Sequence, residues 1–395
     1  MLKRLISVYL RKFKRKKSVK KHIAFVALNK EAIQHLPNHP SKNKIIILVR
    51  MDEIGDYILS RNTFSIIKNA PKFKDYKIIF IGNKLNKNIA ETLDTDTVDE
   101  FLWIDKEQFK KDHNYRSQIF TNINNINAEI AVELERTSDV NLGGIIIEAT
   151  NAIKKYGSSN YYLYDKLNIL SDSFFNHLFP QNFELTHEFL FNQRFVNWVS
   201  DTNISITKPA INAKLLPKLN LPEKYILCMI GSSKKSKNWP LRYWIELIGQ
   251  LLVCYKEEEI VLLGGNREEE FAQGILDEIK DERLYSMVSK TNLMESFSWI
   301  NAASLMISND TFAVHARVAL NEKPTVVMAN GESSFRFSDL GQFSPNYTVI
   351  YSKQYLEYLP KMKNADRWIY NVSSVDMATI FPKEVLDKCL ELYKN

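Results

Sequence analysis

Cysteine is scarce, with three thiols in 395 residues (Cys228, Cys254 and Cys389) and no Cys-x-x-Cys pair. Scattered in this way they read as small buried hydrophobes in a reducing compartment. Long apolar runs are missing too. No stretch of 18 apolar residues occurs, so no segment is expected to cross a bilayer as a helix. The apolar residues near the N-terminus are few and interrupted by charge, unlike a secretory signal. The expected location is cytoplasmic, or peripheral on the inner face of the membrane. No Gly-x-Gly-x-x-Gly follows a predicted strand, which argues against a nicotinamide or flavin enzyme, and the Gly and Lys spacing of a P-loop is absent.

What is present is a large apolar fraction, 45% of the residues, and a length that suits two or three domains. The net charge of +7 is a local property. Residues 1–21 hold ten Lys or Arg and no acid, leaving 43 basic against 46 acidic side chains elsewhere. Within that segment Leu2, Ile6, Tyr9, Leu10 and Phe13 recur at helical spacing among Lys3, Arg4, Arg11, Lys12 and Lys14 to Lys17. A basic amphipathic helix suits an anionic membrane surface. A solvated tail and a nucleic-acid contact share the composition. The membrane is the expected partner and nucleic acid is not.

The body of the chain opens at Lys44 and follows an α/β grammar. Ile45 to Val49 reads as a buried parallel strand, followed by Arg50-Met-Asp-Glu-Ile-Gly-Asp56 and a helix to about Asn69, ended by Pro71. Loops at the carboxyl ends of such strands are where open α/β sheets place ligands. Asp56 there either caps the helix or projects as a base. Further strands are expected at 77–81, 100–104 and 129–134, the last ending at Glu135, Arg136 and Thr137. Residues 138–200 are less regular. Polar residues and Pro209, Pro217 and Pro222 mark a boundary.

The second half repeats the pattern. Tyr225 to Ile230 is a strand, followed by Gly231-Ser-Ser-Lys-Lys-Ser-Lys-Asn-Trp-Pro240, with Pro240 suited to the first helical position. That loop offers Ser232, Ser233 and Lys237 to a phosphate. Glu259 to Gly265 is a strand with a Gly264-Gly265 turn, and Glu268 follows in the helix start. Leu305 to Ile307 feeds a helix capped by Asp310 or Thr311, with His315 one turn on, and Asn321 to Pro324 stop it. An ordinary βαβ unit with a packed histidine would look the same in isolation. Three loops presenting such residues on one rim make a stronger pattern.

Taken in order, Arg50-x-x-x-Ile-Gly-Asp56, Gly231-Ser-Ser…Lys237-Asn-Trp-Pro240, Leu262-Leu-Gly-Gly265 and Ser308-Asn-Asp-Thr-Phe-Ala-Val-His315 resemble glycosyltransferase family 9, the ADP-heptose:lipopolysaccharide heptosyltransferases and their relatives. The resemblance covers roughly residues 44–340. It implies the GT-B architecture, two Rossmann-like domains with parallel sheets facing across a cleft. The expected division is a basic N-terminal segment at 1–43, an acceptor-side domain at 44–205, a donor-binding domain at 206–372 and a C-terminal helix at 373–395. By the same resemblance Asp56 is the base for the acceptor hydroxyl. Ser232, Ser233 and Lys237 serve the donor diphosphate, Asp310, Thr311 and His315 form the donor-phosphate motif, and Gly264, Gly265 and Glu268 lie by the nucleoside or sugar. Arg50, Arg136 and Arg336 are candidate acceptor or cleft residues. The implied activity is metal-independent, inverting transfer of a heptose or related sugar to a cell-envelope glycan or glycolipid. No cofactor is expected, only a nucleoside-diphosphate sugar as substrate, with ADP favoured. The family usually carries Gly where this chain has Phe312, so a narrowed pocket is expected there, and a non-catalytic nucleotide-sugar-binding protein of the same fold is the rival reading.

Overall fold

The computed structural model describes residues 2–39, 42–159, 165–181, 185–362 and 375–394, with the side chains of 2–17 and 165 excepted. Most side chains of the basic segment, Glu184 and the start of the expected C-terminal helix therefore lie outside the described residues. By contacts the chain forms two compact units that are not collinear with the sequence. Unit 1 is Met1–Glu53, Thr63–Asn182 and Phe191–Ser205; unit 2 is Ile54–Asn62, Phe183–Leu190 and Ile206–Asn395.

Unit 1 carries a six-stranded parallel sheet of β1 (Asn43–Arg50), β2 (Lys77–Asn83), β3 (Glu100–Ile104), β4 (Ala128–Glu133), β5 (Lys154–Ser158) and β6 (His177–Phe179), ordered β3-β2-β1-β4-β5-β6. Ile46 to Val49 are fully buried, as a strand covered on both faces requires. β5 and β6 fall in the stretch that looked irregular. Lys154-Lys155-Tyr156-Gly157-Ser158 has no apolar run, and β6 is three residues long, so neither shows the hydrophobic signal of a central strand.

The N-terminal helix runs from Leu2 to Gln34. Its second half belongs to the packing of unit 1: Val26 is buried in the core cluster and Ile33 packs against it. Asn29, 1% exposed, accepts from Arg116 Nε at 2.6 Å, and the Arg116 guanidinium lies over the Phe25 ring. Among the described residues no helix is long and apolar enough to cross a membrane.

Unit 2 carries a second parallel sheet: β7 (Tyr225–Met229), β8 (Glu259–Leu263), β9 (Leu284–Ser286), β10 (Leu305–Asn309), β11 (Thr325–Ala329) and β12 (Tyr347–Tyr351), ordered β12-β11-β10-β7-β8-β9. Read from its first strand, this order is the same as that of the first sheet. In each, the strand order reverses beside the opening strand, between β1 and β4 and between β7 and β10, and connections on the two sides diverge to leave a crevice at the carboxyl ends. The core of unit 2 joins Ile226, Cys228, Leu262, Ile307 and Met328 to Trp239 and to Trp244 and Ile248 of the helix Leu241–Cys254. Pro240 is the residue before that helix rather than its first turn, a shift of one position.

Candidate active site

The switch point of unit 2 gathers most of the candidate residues. Asn309, at the end of β10, is fully buried and holds the β7 loop. Its Nδ2 donates to Ile230 O at 2.8 Å, and its Oδ1 accepts from Trp239 N at 3.1 Å. Thr311 caps the helix Phe312–Leu320, its hydroxyl accepting from Ala313 N. Asp310 is therefore not the cap. Its carboxylate, 3% exposed, instead receives Lys237 Nζ at 2.9 Å and the Ser338 hydroxyl at 3.3 Å. Burial works against the Lys237 ammonium, but Asp310, then Glu332 and Asp56, outweigh it and hold its pKa above the ordinary value.

Neighbouring groups fix the loop that carries Lys237. Ser232 Oγ lies 2.7 Å from Lys234 O and 2.5 Å from Asn238 Oδ1, Lys234 Nζ pairs with Glu332 Oε1 at 2.6 Å, and Asn330 Nδ2 donates to Ser236 O at 3.0 Å. Ser233 is exposed beside them. Glu268 accepts from Gly265 N at 2.9 Å and lies so near Gly231 that a Cβ there would meet its Cδ at 2.3 Å. Next to Gly264 and Gly265, between the helix Glu269–Glu278 and the residues after β9, is a groove of about 330 Å³ lined in part by Glu269, Ala272, Val288 and Lys290.

Asp56 joins this group from a distant part of the sequence. The helix Ile54–Arg61 starts at Ile54, so Asp56 sits in its first turn and is not the N-cap residue. The helix is held on unit 2 by Arg61 Nη1 to Ala210 O at 2.6 Å and by a reciprocal pair between Asn62 and Ala210. Gly55 approaches Phe312 and His315 directly: a Cβ on Gly55 would be 3.5 Å from Phe312 Cα and 2.8 Å from His315 Cδ2. Two helix N-termini thus meet beside Lys237. Their combined partial positive charge and one ammonium are suited to a diphosphate. Burial pushes the His315 pKa down to about 4, so the ring is neutral at pH 7; Phe337 stands edge-on to it at 6.2 Å. Phe312 is half-buried with its ring 6.3 Å from that of Phe297, on the helix Leu293–Ala302, so it packs against that helix.

The three arginines are committed to protein partners. In unit 1 Arg50 is fully buried and donates to both Asp52 oxygens at 2.8 Å and to Leu134 O at 2.9 Å, clamping the ends of β1 and β4. Arg136, also buried, lies 4.4 Å over the Phe191 ring. In unit 2 Arg336 donates from Nε to the fully buried Glu188 at 2.9 Å. Asn309, Glu332 and Glu188 belong to the same unit without standing out in the sequence pattern. A polar Asn closing an otherwise apolar strand was the signal available for the first, because a buried amide must be hydrogen-bonded. At the end of β4 in unit 1, burial pushes the carboxyls of Glu133 and Glu135 up to about 8. Among the described residues no group of three or more His, Cys, Asp or Glu side chains is placed to hold a metal ion.

Two six-stranded parallel sheets of this order are the fold of the GT-B glycosyltransferases. Residues 147–358 match the model of glycosyltransferase family 9 (heptosyltransferase), and the chain belongs to that family; it is a glycosyltransferase. Among solved structures it is similar to a family 9 glycosyl transferase from Veillonella parvula, at 17% identity and TM-score 0.67, over 89% of this chain and 97% of that one. E. coli heptosyltransferase WaaC with ADP matches at 14% identity and TM-score 0.66, over 88% and 100%. E. coli ADP-heptose lps heptosyltransferase II matches at 14% and 0.63, over 89% and 98%. No curated protein sequence matches the chain.

Proposed function

We propose that this chain transfers a heptose or related sugar, with inversion and without a metal, from a nucleoside-diphosphate donor to a cell-envelope glycan or glycolipid. The observation that carries the reading is the meeting of Lys237, Asp310 and two helix N-termini beside Asp56. The acceptor hydroxyl oxygen attacks the anomeric carbon from the face opposite the diphosphate. Its proton goes to the Asp56 carboxylate, and the anomeric carbon–oxygen bond to phosphate breaks. Negative charge then grows on the leaving diphosphate, where Lys237 and the helix ends stabilise it without reorganising. Asp310 keeps Lys237 charged and aimed. His315, neutral at pH 7, offers a hydrogen bond and no charge.

ADP is the favoured nucleotide because of the family resemblance, supported by the binding of ADP and ADP-2-deoxy-2-fluoro heptose in WaaC structures. The groove beside Glu268 would take the nucleoside. The basic segment at 1–21 would hold the enzyme at an anionic membrane, within reach of a lipid-linked acceptor in lipopolysaccharide biosynthesis. The test is a panel of ADP-, GDP- and UDP-linked sugars read by melting temperature and by release of nucleoside diphosphate. ADP-linked heptose is expected to give the largest shift and the fastest release. A panel in which no nucleotide sugar shifts the melting point rejects the reading.

A further inference from the structure

The helix Leu2–Gln34 is one unbroken element, about 50 Å long at its rise per residue. Its second half is docked on unit 1 by one face. Val26 and Asn29 are each 1% exposed, and Asn29 is bonded to Arg116. His22 is hydrogen-bonded to Asn141, and Lys30 pairs with Glu148 at 3.5 Å with its ammonium over the Phe174 ring. Ile33 packs against the same core. These docked positions recur every three or four residues, as one side of a helix requires.

The opposite side is open. Lys20, Ile23, Ala24, Ala27, Leu28 and Glu31 are all exposed, Ile23 by 38% and Leu28 by 52%. A helix already fastened by its inner face gains nothing in folding from leucine and isoleucine on its outer one, where they stay in water. Roughly 18 residues make five turns, so positions that far apart share one line along the helix. The positions of Ala24, Ala27 and Leu28 are therefore in phase with those of Ile6, Tyr9 and Leu10, and that of Ile23 with Leu5. The apolar spacing of the basic segment thus continues in register along the outward face of the docked half. Lys14 to Lys17, Lys20 and Lys21 stand between the two apolar stretches, and Glu31 is the first acidic residue of the chain.

Charge selects the partner. Two copies of this helix laid together would set like charges against one another, which disfavours self-pairing. An anionic lipid surface is the complement, with phosphates for the lysines and arginines and acyl chains for the apolar line. Among the described residues no helix is long and apolar enough to cross a membrane, so the contact runs along the surface. We propose that the helix lies flat on anionic lipid along its whole length, with the outward face of residues 20–28 in the headgroup layer, so that unit 1 rests on the membrane instead of hanging from a tether. The proposal rests on the membrane role given above to residues 1–21 and adds the docked half of the helix, which fixes the side of unit 1 turned to the lipid.

The experiment uses the full-length chain and vesicles of equal parts phosphatidylglycerol and phosphatidylcholine. Ile23→Ser with Leu28→Ser, both at exposed positions and leaving every charge in place, is expected to lower vesicle partition about tenfold at physiological salt, with the melting temperature unchanged. Val253→Ser, at a residue of unit 2 that is 72% exposed, should partition as wild type. A nitroxide on Leu28→Cys in a Cys254→Ser background reads the location directly, because Cys254 is the exposed native thiol and Cys228 and Cys389 are buried. On adding vesicles, relaxation of the label by oxygen should rise and relaxation by an aqueous nickel complex should fall. Wild-type partition by the serine pair, or a label that stays open to nickel on the vesicles, overturns the proposal. A dimer in solution that the serine pair dissociates also overturns it, since this face would then belong to a second copy. Weakened binding on removal of residues 1–21 together with full binding by the serine pair removes the flat helix alone. A wild-type chain that does not bind the vesicles removes the membrane reading as well.

Discussion

Gly55 and His315, 260 residues apart in sequence, are in contact so close that a single methyl group on Gly55 would lie 2.8 Å from His315 Cδ2 and 3.3 Å from Nε2. His315 is 5% exposed and has little room to withdraw. The glycine thus sets how closely the helix carrying Asp56 approaches the helix that begins at Phe312. Gly55→Ala is expected to cost about 1–3 kcal/mol by overpacking. Adding His315→Ala should recover most of that loss, and a coupling below about 0.5 kcal/mol in the denaturation cycle would show the contact is not under strain.

Lys237→Ala removes an ammonium that Asp310 holds above its ordinary pKa against the effect of burial. ADP affinity is expected to fall by about 10- to 150-fold in calorimetry, the equivalent of about 1.5–3 kcal/mol for a charge-assisted contact. Stability should fall as well, because the Asp310 carboxylate would be left buried without its cation. Lys237→Arg, which keeps the charge, should recover stability better than affinity, since a planar fork does not reproduce the point charge of an ammonium.

Asp56 lies in the first turn of its helix, so its replacement by Asn removes a base without removing a cap. Turnover in Asp56→Asn is expected to drop by about 10²- to 10⁴-fold, while ADP affinity stays within about twofold and the melting temperature barely moves. Near-normal turnover would mean that another group takes the acceptor proton.

Glu133 is fully buried at the end of β4, and burial pushes its carboxyl up to about 8. A carboxyl whose folded pKa is raised binds more protons in the native state than in the unfolded one between about 4.5 and 8. Its contribution is therefore present below pH 4.5 and lost as pH rises through 8, by up to about 5 kcal/mol. Glu133→Gln should flatten this slope, making the variant gain on wild type as pH goes from 5 to 8. Urea denaturation at both pH values measures it, and parallel curves for the two proteins would contradict the shift.

Removing residues 1–21 should reduce binding to vesicles containing anionic lipid, most clearly at low salt, because exposed charges are screened within about 8 Å at physiological ionic strength. Nucleotide binding should be unaffected. Equal sedimentation of both forms with the vesicles would exclude the membrane role of the segment.

The central strands were legible because they are buried on both faces and so read as apolar runs: Ile45 to Val49, Tyr225 to Ile230 and Leu305 to Ile307 all fall within observed strands or at their ends. Most outer strands were not. The edge strands β6, β9 and β12 are short or interrupted by polar residues, since a strand with a neighbour on one side only needs less apolar surface. β5, between β4 and β6, has no apolar run, whereas the edge strand β3 kept one and was legible. The loop residues of the site were found through their order along the chain, a feature that the apolar pattern does not contain.

The sequence by itself determined the α/β class, the alternation of strand and helix that makes both sheets parallel, and the residues at the carboxyl ends of β7 and β10. These follow from local patterns, because burial and capping act over a few residues. Tertiary structure decided the partners. It gave Lys237 to Asp310, turned Asp310 away from the helix cap, and buried Arg50, a candidate acceptor or cleft residue, against Asp52. It also attached the helix Ile54–Arg61 to unit 2 through Gly55, His315 and Ala210. Pairing between charges is set by distance in space and by the dielectric around them, and neither quantity is carried by any one stretch of sequence.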